Sequence, residues 1–329
     1  KQLKNYLKTD IEISPNSPLL LDSYFGSAVE VDVDALSDGN KVFIAGVMEH
    51  IEEAGVHSGD SACSLPPHSL KEEIIEKIKK QTAALAIELK VKGLMNVQFA
   101  VKNEDIYVLE VNPRASRTVP FISKATGIPL AGLGAKLMID KKILDLNIKE
   151  KITRHVAVKE AELPFERLPG SDTLLTPEMR STGEVMGIDN NFEMAFFKSQ
   201  IAAGIMLPQS GSAFISIKDT DKTEMMLNAL RNLNDIGFKL IATRGTKLFL
   251  DRAGIKNELV KKVFEGRPNI VDLLIDSKIS IVMNTTEGEQ SIRDSKDIRQ
   301  LALDKKIPYY TTARGIVAAI FSLKENKKY

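Results

Sequence analysis

The stretch Gln98 to Arg117, QFAVKNEDIYVLEVNPRASR, constrains this chain more than any other. It reads as two short strands joined by a polar turn at Lys102–Asp105. Residues two apart on a strand face the same side, so Glu110 and Asn112 point together and Gln98 can join them from the neighbouring strand. Three oxygen-bearing side chains on one wall suit a hard cation such as Mg²⁺, which takes few protein oxygens and leaves the rest of its octahedron to water and nucleotide phosphate. Arg114 and Arg117 follow and supply charge for an anionic substrate. The reaction class this pattern proposes is metal-assisted phosphoryl transfer. An ExN strand ending at proline is also how a plain polar face ends at a turn, and the local pattern leaves that alternative open.

The chain has 329 residues, room for two domains and a linking segment. A formal net charge of +1 gives no electrostatic case for nucleic acid or for an anionic membrane, and the absence of Trp argues against a base-stacking surface. The single cysteine, Cys63, rules out an internal disulfide framework and fits a reducing, cytoplasmic setting; it reads as a small core or loop residue before a nucleophile. No apolar run approaches the length of a membrane span. The opening KQLKNYLKTD is neither a signal nor a transit peptide. It lacks an initiator methionine and reads like the middle of a helix, so the chain is expected to be a fragment of something longer.

The first region reads as α+β, built on antiparallel pairs. A helix is expected over Lys1–Thr9, a half-buried strand over Ala28–Leu36 (apolar and acidic residues alternating), a turn at Asp38–Asn40 and a return strand over Lys41–Met48. His50–Leu65 reads as a polar loop, Ser69–Val91 as a helix, and helices are expected near Phe121–Ala125 and Leu130–Ile139. His155–Leu163 reads as a strand, Pro164–Pro177 as irregular and Phe192–Ala203 as a helix. From Ser212 strands and helices alternate: strands Ala213–Ile217, Lys239–Ala242, Ser280–Met283 and Pro308–Tyr310, helices Lys222–Ile236, Gly245–Ala253, Ser291–Lys305 and Ile316–Leu323. That rhythm implies a parallel sheet with helices on both faces, and the boundary falls near Ile205–Gly211. Within it, Thr243-Arg244-Gly245-Thr246 leaves a strand and opens a helix, a geometry that aims backbone N–H groups at an anion. Asn284-Thr285-Thr286 ends a second strand, and Lys222 and Lys262 can add positive charge. Ordinary helix caps and turns account for these threonines equally well.

Three segments carry a family resemblance: MEHIEEAGVHSGDSACSLP (Met48–Pro66), LEVNPRASRTVPFISKATGIPL (Leu109–Leu130) and EMRSTGEVMG (Glu178–Gly187). Together with the domain order they resemble the large subunits of the carbamoyl phosphate synthetases, at their C-terminal end, over essentially the whole chain. The resemblance implies an α+β ATP-grasp portion (residues 1–140), a connecting α/β segment (141–206) and an α/β doubly wound, methylglyoxal-synthase-like allosteric domain (207–329). It implies phosphorylation of carbamate by ATP to give carbamoyl phosphate, for arginine and pyrimidine biosynthesis. Gln98, Glu110 and Asn112 fall on the positions of the metal ligands, for Mg²⁺ or Mn²⁺, and Gln98 and Glu110 also on ATP contacts. Glu30 falls on the position that holds the nucleotide ribose, and Gly55, Val56, His57 and Ser58 on the nucleotide loop. Arg114 and Arg117 fall on the arginines that face carbamate and the transferring phosphoryl group. Ser23 and Phe25 align with two further nucleotide contacts, but as residue types that depart from the family's pattern.

For the last domain the resemblance implies a nucleoside monophosphate effector, UMP or IMP, at Ser216, Lys222, Thr243, Thr246, Lys262, Asn284, Thr286 and Ser295. It implies ornithine between domains, near Glu52, Asp60, Glu160 and Thr311. The implied partners are the remainder of the large chain and a glutaminase small subunit; K⁺ and a homo-oligomer of heterodimers are compatible with it. Nothing before Lys1 supplies the earlier ATP-grasp domain and its glycine-containing lid, so the fragment is expected to be inactive alone. Three alternatives stay open: another ATP-grasp ligase or carboxylase fragment, a methylglyoxal-synthase-type lyase, and a regulatory module without activity. The lyase needs an acid/base carboxylate in its phosphate pocket, where these strand ends offer Thr and Asn.

Overall fold

A computed structural model describes residues 26, 28–148, 154–165, 172–176, 178–286 and 288–328. The expected helix over Lys1–Thr9, and Ser23 and Phe25, lie outside the described residues.

The predicted hairpin is present. Lys92–Lys102 (β4) pairs antiparallel with Asp105–Asn112 (β5), and the chain reverses at Asn103 and Glu104, both at positive φ, as a tight two-residue turn requires. Gln98 stands opposite Glu110 and Asn96 opposite Asn112. Val29–Asp38 (β1) lies on the other side of β4 and pairs in turn with Val42–Glu53 (β2), all antiparallel. Cys63–Leu65 (β3), Val156–Glu162 (β6) and Gly183–Asp189 (β7) complete a seven-stranded sheet in the order β5-β4-β1-β2-β3-β6-β7.

One face of the sheet is apolar. Val31, Val33, Val47, Val97 and Phe99 meet Ile74, Ile75 and Ile78 of helix Glu72–Glu88 (α1). The other face is divided. Leu36, Met48 and Leu94 pack under helices Val119–Thr126 (α2) and Leu130–Met138 (α3), while the rest carries Glu30, Asp32, Asp34, Asn96 and Gln98 in register. The acidic side of β1 is not the open face its alternation suggests: Asp32 and Asp34 are buried.

Beyond β7, helix Phe192–Ala202 (α4) packs on β6 and β7. The second sheet, of five parallel strands, runs Glu258–Leu259 (β10), Lys239–Ala242 (β9), Ser212–Ser216 (β8), Ile281–Asn284 (β11) and Tyr309–Tyr310 (β12) in spatial order. Helices Glu224–Asp235 (α5), Arg244–Arg252 (α6) and Ala313–Asn326 (α10) share the core on one face; Ile270–Ile275 (α7) and Lys296–Asp304 (α9) share the core on the other. This is the doubly wound arrangement that the alternation predicts. A small cluster of Ile51, Ala62, Val158, Phe196, Ala318 and Ala319 joins the two sheets through α4 and α10.

Several element readings need correction. The region read as the loop His50–Leu65 begins with the end of β2 and closes with β3, whose three buried residues bridge β2 and β6. The helix read over Ser291–Lys305 is two helices, Gly288–Asp294 (α8) and α9, which meet at Ser295. β7, β10 and α7 carry too few periodic residues to stand out in the sequence.

Candidate functional site

The divided face of the first sheet opens on a cavity of about 330 Å³. Among its lining residues are Glu30, Gly55, Val56, His57, Ser58, Gln98, Glu110, Asn112, Arg114 and Arg117, so every described residue expected at the ATP and metal site meets there. Strand register explains the convergence. Glu30 and Asp32 stand two apart on β1, Asp32 pairs with Gln98 on β4, and Gln98 pairs with Glu110 on β5. Asn112, two residues further along β5, leads into the loop of the two arginines. Glu110 and Asn112 make no side-chain hydrogen bond or ion pair among the described residues. Their oxygens and that of Gln98 line one cavity and are of the kind a hard divalent cation takes.

The loop after β2 closes the far side. The Gly55 N–H donates to Glu30 Oε1 at 3.2 Å, and Gly55 takes a φ of 106°, which suits glycine. The His57 N–H donates to the Thr176 carbonyl at 3.0 Å, its Nδ1 accepts from Gly59 N–H at 3.0 Å, and Gln98 Nε2 donates to Ser58 Oγ at 3.1 Å. Lys159 of β6, wholly buried, donates to the Ser58 carbonyl at 3.2 Å. Arg114 and Arg117 are exposed at the mouth, with Arg117 Nη1 3.2 Å from Ser181 Oγ.

Sequence reasoning missed Asp32, Gly59, Asn96, Ser116, Thr118 and Glu184, which line the same cavity. The period-two signal that found Glu110 and Asn112 also reaches Asp32 from Glu30 and Asn96 from Gln98. Glu184 arrives on β7, whose place in the sheet no local pattern announces.

A second cavity, of about 520 Å³, is lined by all four residues expected at the interdomain effector site: Glu52, Asp60, Glu160 and Thr311. Both oxygens of Asp60 accept backbone N–H groups, from Arg180 and Ser181, each at 2.8 Å. Glu52 accepts from Ala62 N–H at 2.6 Å. Burial, reinforced by the charge of Glu52, pushes Glu160 up to about 8. Gln200 donates to Glu160 and accepts from Tyr310 Oη at 2.9 Å.

In the parallel sheet Ser216, Thr243 and Asn284 stand at the C-terminal ends of the adjacent strands β8, β9 and β11. The chain runs outward in opposite directions from β8 and β11, which makes this edge the topological switch point. Thr243 Oγ1 donates to Ser216 Oγ at 3.3 Å, and Thr246 Oγ1 accepts from Ile217 N–H at 2.9 Å. Helix α6 begins at Thr243 without a side-chain cap, and a Cβ on Gly245 in its first turn would lie 3.4 Å from the Lys222 ammonium. Lys262 is exposed, its ammonium 5.9 Å above the Phe264 ring. Thr286 lines a separate cavity of about 970 Å³ against β2 and α10, and buried Ser295 accepts from Arg299 Nη1 at 2.7 Å.

The first sheet with its polar cavity and the doubly wound α/β domain beside it are two distinct units, and comparison with known proteins matches each to a family. The family described as "Carbamoyl-phosphate synthase L chain, ATP binding domain" matches residues 1–145, and the one described as "MGS-like domain" matches residues 225–311. The carbamoyl phosphate synthase large chain of Archaeoglobus fulgidus is 50% identical over 99% of this chain. Those of Rhizobium meliloti and Myxococcus xanthus are 53% and 52% identical over 94% and 98% of it. The chain belongs to the family of carbamoyl phosphate synthase large chains, which are ligases. It spans 30%, 27% and 30% of the length of these three relatives. Over 54% of its length it is also similar to 47% of the biotin carboxylase domain of a single-chain bacterial carboxylase, at 16% identity and a TM-score of 0.43, a likeness too loose to bear on the rest. Among the described residues no helix is long and apolar enough to cross a membrane.

Proposed function

We propose that this chain is the part of a cytoplasmic, glutamine-hydrolysing carbamoyl phosphate synthetase that phosphorylates carbamate with ATP and carries its allosteric control. The carrying observation is that one cavity gathers Glu30, the Gly55–Ser58 loop, the oxygen donors Gln98, Glu110 and Asn112, and the two arginines. The carbamate oxygen attacks the γ-phosphorus, the bond to the β,γ-bridging oxygen breaks, and ADP leaves. Such transfers need positioning and charge neutralisation more than covalent chemistry. Glu30 accepts ribose hydroxyls, the Gly55–Ser58 backbone lies along the nucleotide, and Arg114 and Arg117 orient the anionic carbamate and the moving phosphoryl group. A Mg²⁺ or Mn²⁺ ion held by Gln98, Glu110 and Asn112 would neutralise β,γ-phosphate charge. In this reading the division at about 140 and 206 separates the ATP-grasp part, a connecting segment and the regulatory domain. A glutaminase subunit and the remainder of the large chain are its partners.

The regulatory half of the reading rests on chemistry of opposite sign at two sites. The strand ends of β8, β9 and β11, the uncapped start of α6 and Lys222 suit the phosphate of a nucleoside monophosphate such as UMP or IMP. The cavity of Glu52 and Glu160 suits a cationic amino acid such as ornithine. Glu110→Ala in the full-length enzyme tests the catalytic half. It is expected to abolish carbamoyl phosphate formation while the protein stays folded, since electrostatic stabilisation of this kind is worth about 3 kcal/mol or more. Near-normal turnover at saturating Mg²⁺ would remove the ligand assignment.

A further inference from the structure

Arg117 sits between two hydroxyl residues, and both turn back into the sheet to one buried carboxylate. Ser116 Oγ lies 2.7 Å from Asp34 Oδ1, Thr118 Oγ1 is hydrogen-bonded to Asp34 Oδ2, and the two hydroxyl oxygens lie 2.7 Å apart. Asn96 Nδ2 also donates to Asp34 Oδ1, at 3.1 Å. Asp34 is 1% exposed and stands on β1, in register with Gly46 on β2 and Asn96 on β4, and Asn96 with Asn112 on β5. The chain therefore leaves the edge of the sheet at Asn112, carries Arg114 outward, and is clamped again two strands inward on either side of Arg117. Asp34 itself does not line the cavity; its partners Asn96, Ser116 and Thr118 do.

We infer that Asp34 is a positioning residue for phosphoryl transfer: it fixes the Ser116–Thr118 turn on the rigid centre of the sheet and so aims Arg117 into the cavity. This rests on the role proposed above for Arg117. The Ser116 and Thr118 hydroxyls each donate to the carboxylate, to Oδ1 and Oδ2, and the Asn96 amide donates to Oδ1 as well. Asparagine at position 34 can keep all three partners, since its amide donates to Thr118 while its carbonyl accepts from Ser116 and Asn96. Alanine cannot.

The test uses the full-length enzyme run in reverse, ATP formation from ADP and carbamoyl phosphate, so that only this transfer is read. Asp34→Ala is expected to lower kcat at least about tenfold, because small misplacements of a reacting-site group cost that much, while KM for ADP stays within about twofold. Asp34→Asn is expected to restore most of kcat. Ser116→Ala, which removes one clamp with little risk to folding, is expected to lower kcat by about threefold or more on the same grounds. Parental kcat in Asp34→Ala or in Ser116→Ala overturns the inference, as does a folded Asp34→Asn that is as slow as Asp34→Ala. Arg117→Ala in the same assay separates the two claims. If it turns over normally, the role of Arg117 fails; if it is inactive while Asp34→Ala is normal, only the positioning role of Asp34 fails.

Discussion

Two aspartates two residues apart on β1 are pushed in opposite directions by what surrounds them. Burial raises both, but at Asp32 the hydrogen bond from His50 at 3.0 Å, with the charges of His50 and Lys159, outweighs it and holds the carboxyl below its usual range. At Asp34 burial prevails over the hydroxyls of Thr118 and Ser116, the charge of Asp32 adds to it, and the group is pushed up to about 6. The consequence for stability has a definite sign. An acid whose pKa is higher folded than unfolded binds its proton more tightly in the native state, so stability is lost as pH rises from the unfolded value, 3.8, to about 6. For one buried group with this shift the loss is of the order of ~3 kcal/mol. Asp34→Asn removes the titration but keeps the hydrogen-bond partners. The expected result is that its thermal midpoint gains on that of the parent between pH 4.5 and pH 6.5 and stays parallel to it above. A constant offset across the whole range would show that Asp34 titrates normally. The same comparison explains why the sequence misleads here: alternation of apolar and acidic residues looks like a half-solvated strand, and nothing local reveals that a loop eighty residues later covers the acids.

At the scale of elements, the tightest fit lies where α4 crosses β7. A Cβ on Gly187 would overlap the Ala195 carbonyl oxygen and the Ser199 backbone nitrogen, so the helix rests directly on the strand backbone. Gly187→Ala is expected to cost about 1–3 kcal/mol or more, the range for overpacking against atoms that cannot yield, and to lower the thermal midpoint accordingly. A midpoint within a degree of the parent would mean that α4 shifts freely on the sheet. This contact also marks the limit of what could be read in advance. The β4–β5 hairpin, the helix α1 and the parallel rhythm after Ser212 were legible, because each is long or strongly periodic. β3 and β7 were not: three buried residues in a Gly- and Ser-rich stretch, and a strand with a glycine at its point of closest contact, carry no period of their own. β7 joins the sheet only through β6, and β6 only through β3, which lies far from it in sequence, so the wall that brings Glu184 to the cavity exists only in the folded sheet. The half of the site built on one hairpin was readable for the converse reason, since strand period and register are local.

Across the whole molecule, adjacent residues of β2 reach in opposite directions, and that links the two proposed functions. His50 is buried behind two cavity-lining acids, 3.5 Å from Glu30 and 3.0 Å from Asp32. Glu49, wholly buried, faces the regulatory domain: it accepts N–H groups from His68, Ser69 and Leu70 at 3.0, 2.8 and 3.2 Å and forms an ion pair with Arg314 near the start of α10. Burial, with Arg314 adding to it, pushes the nearby His68 down to about 4, so at neutral pH the positive charge opposite Glu49 is that of Arg314. Helix α10 is also part of the core of the parallel sheet, and its N-terminus follows β12. A change at that sheet therefore has a charged, desolvated contact through which to act on the strand behind the proposed nucleotide site. Arg314→Ala should leave basal turnover close to the parent, because Glu49 keeps three backbone donors and Arg314 lies outside the catalytic cavity. It should also leave nucleoside monophosphate affinity nearly intact. What it should reduce is the coupling. Effector-induced shifts usually correspond to about 1–3 kcal/mol, and removing one of the contacts that carries such a shift should at least halve the change in ATP half-saturation on a logarithmic scale. The measurement is ATP half-saturation of the full-length enzyme with and without UMP or IMP, in the parent, Arg314→Ala, Glu49→Gln and the double variant. If Glu49 and Arg314 act as one link, the double variant loses no more coupling than either single variant. An undiminished effector response in Arg314→Ala would place the communication elsewhere, at contacts such as the apolar packing of α10 against α4 or the hydrogen bond from Tyr310 to Gln200.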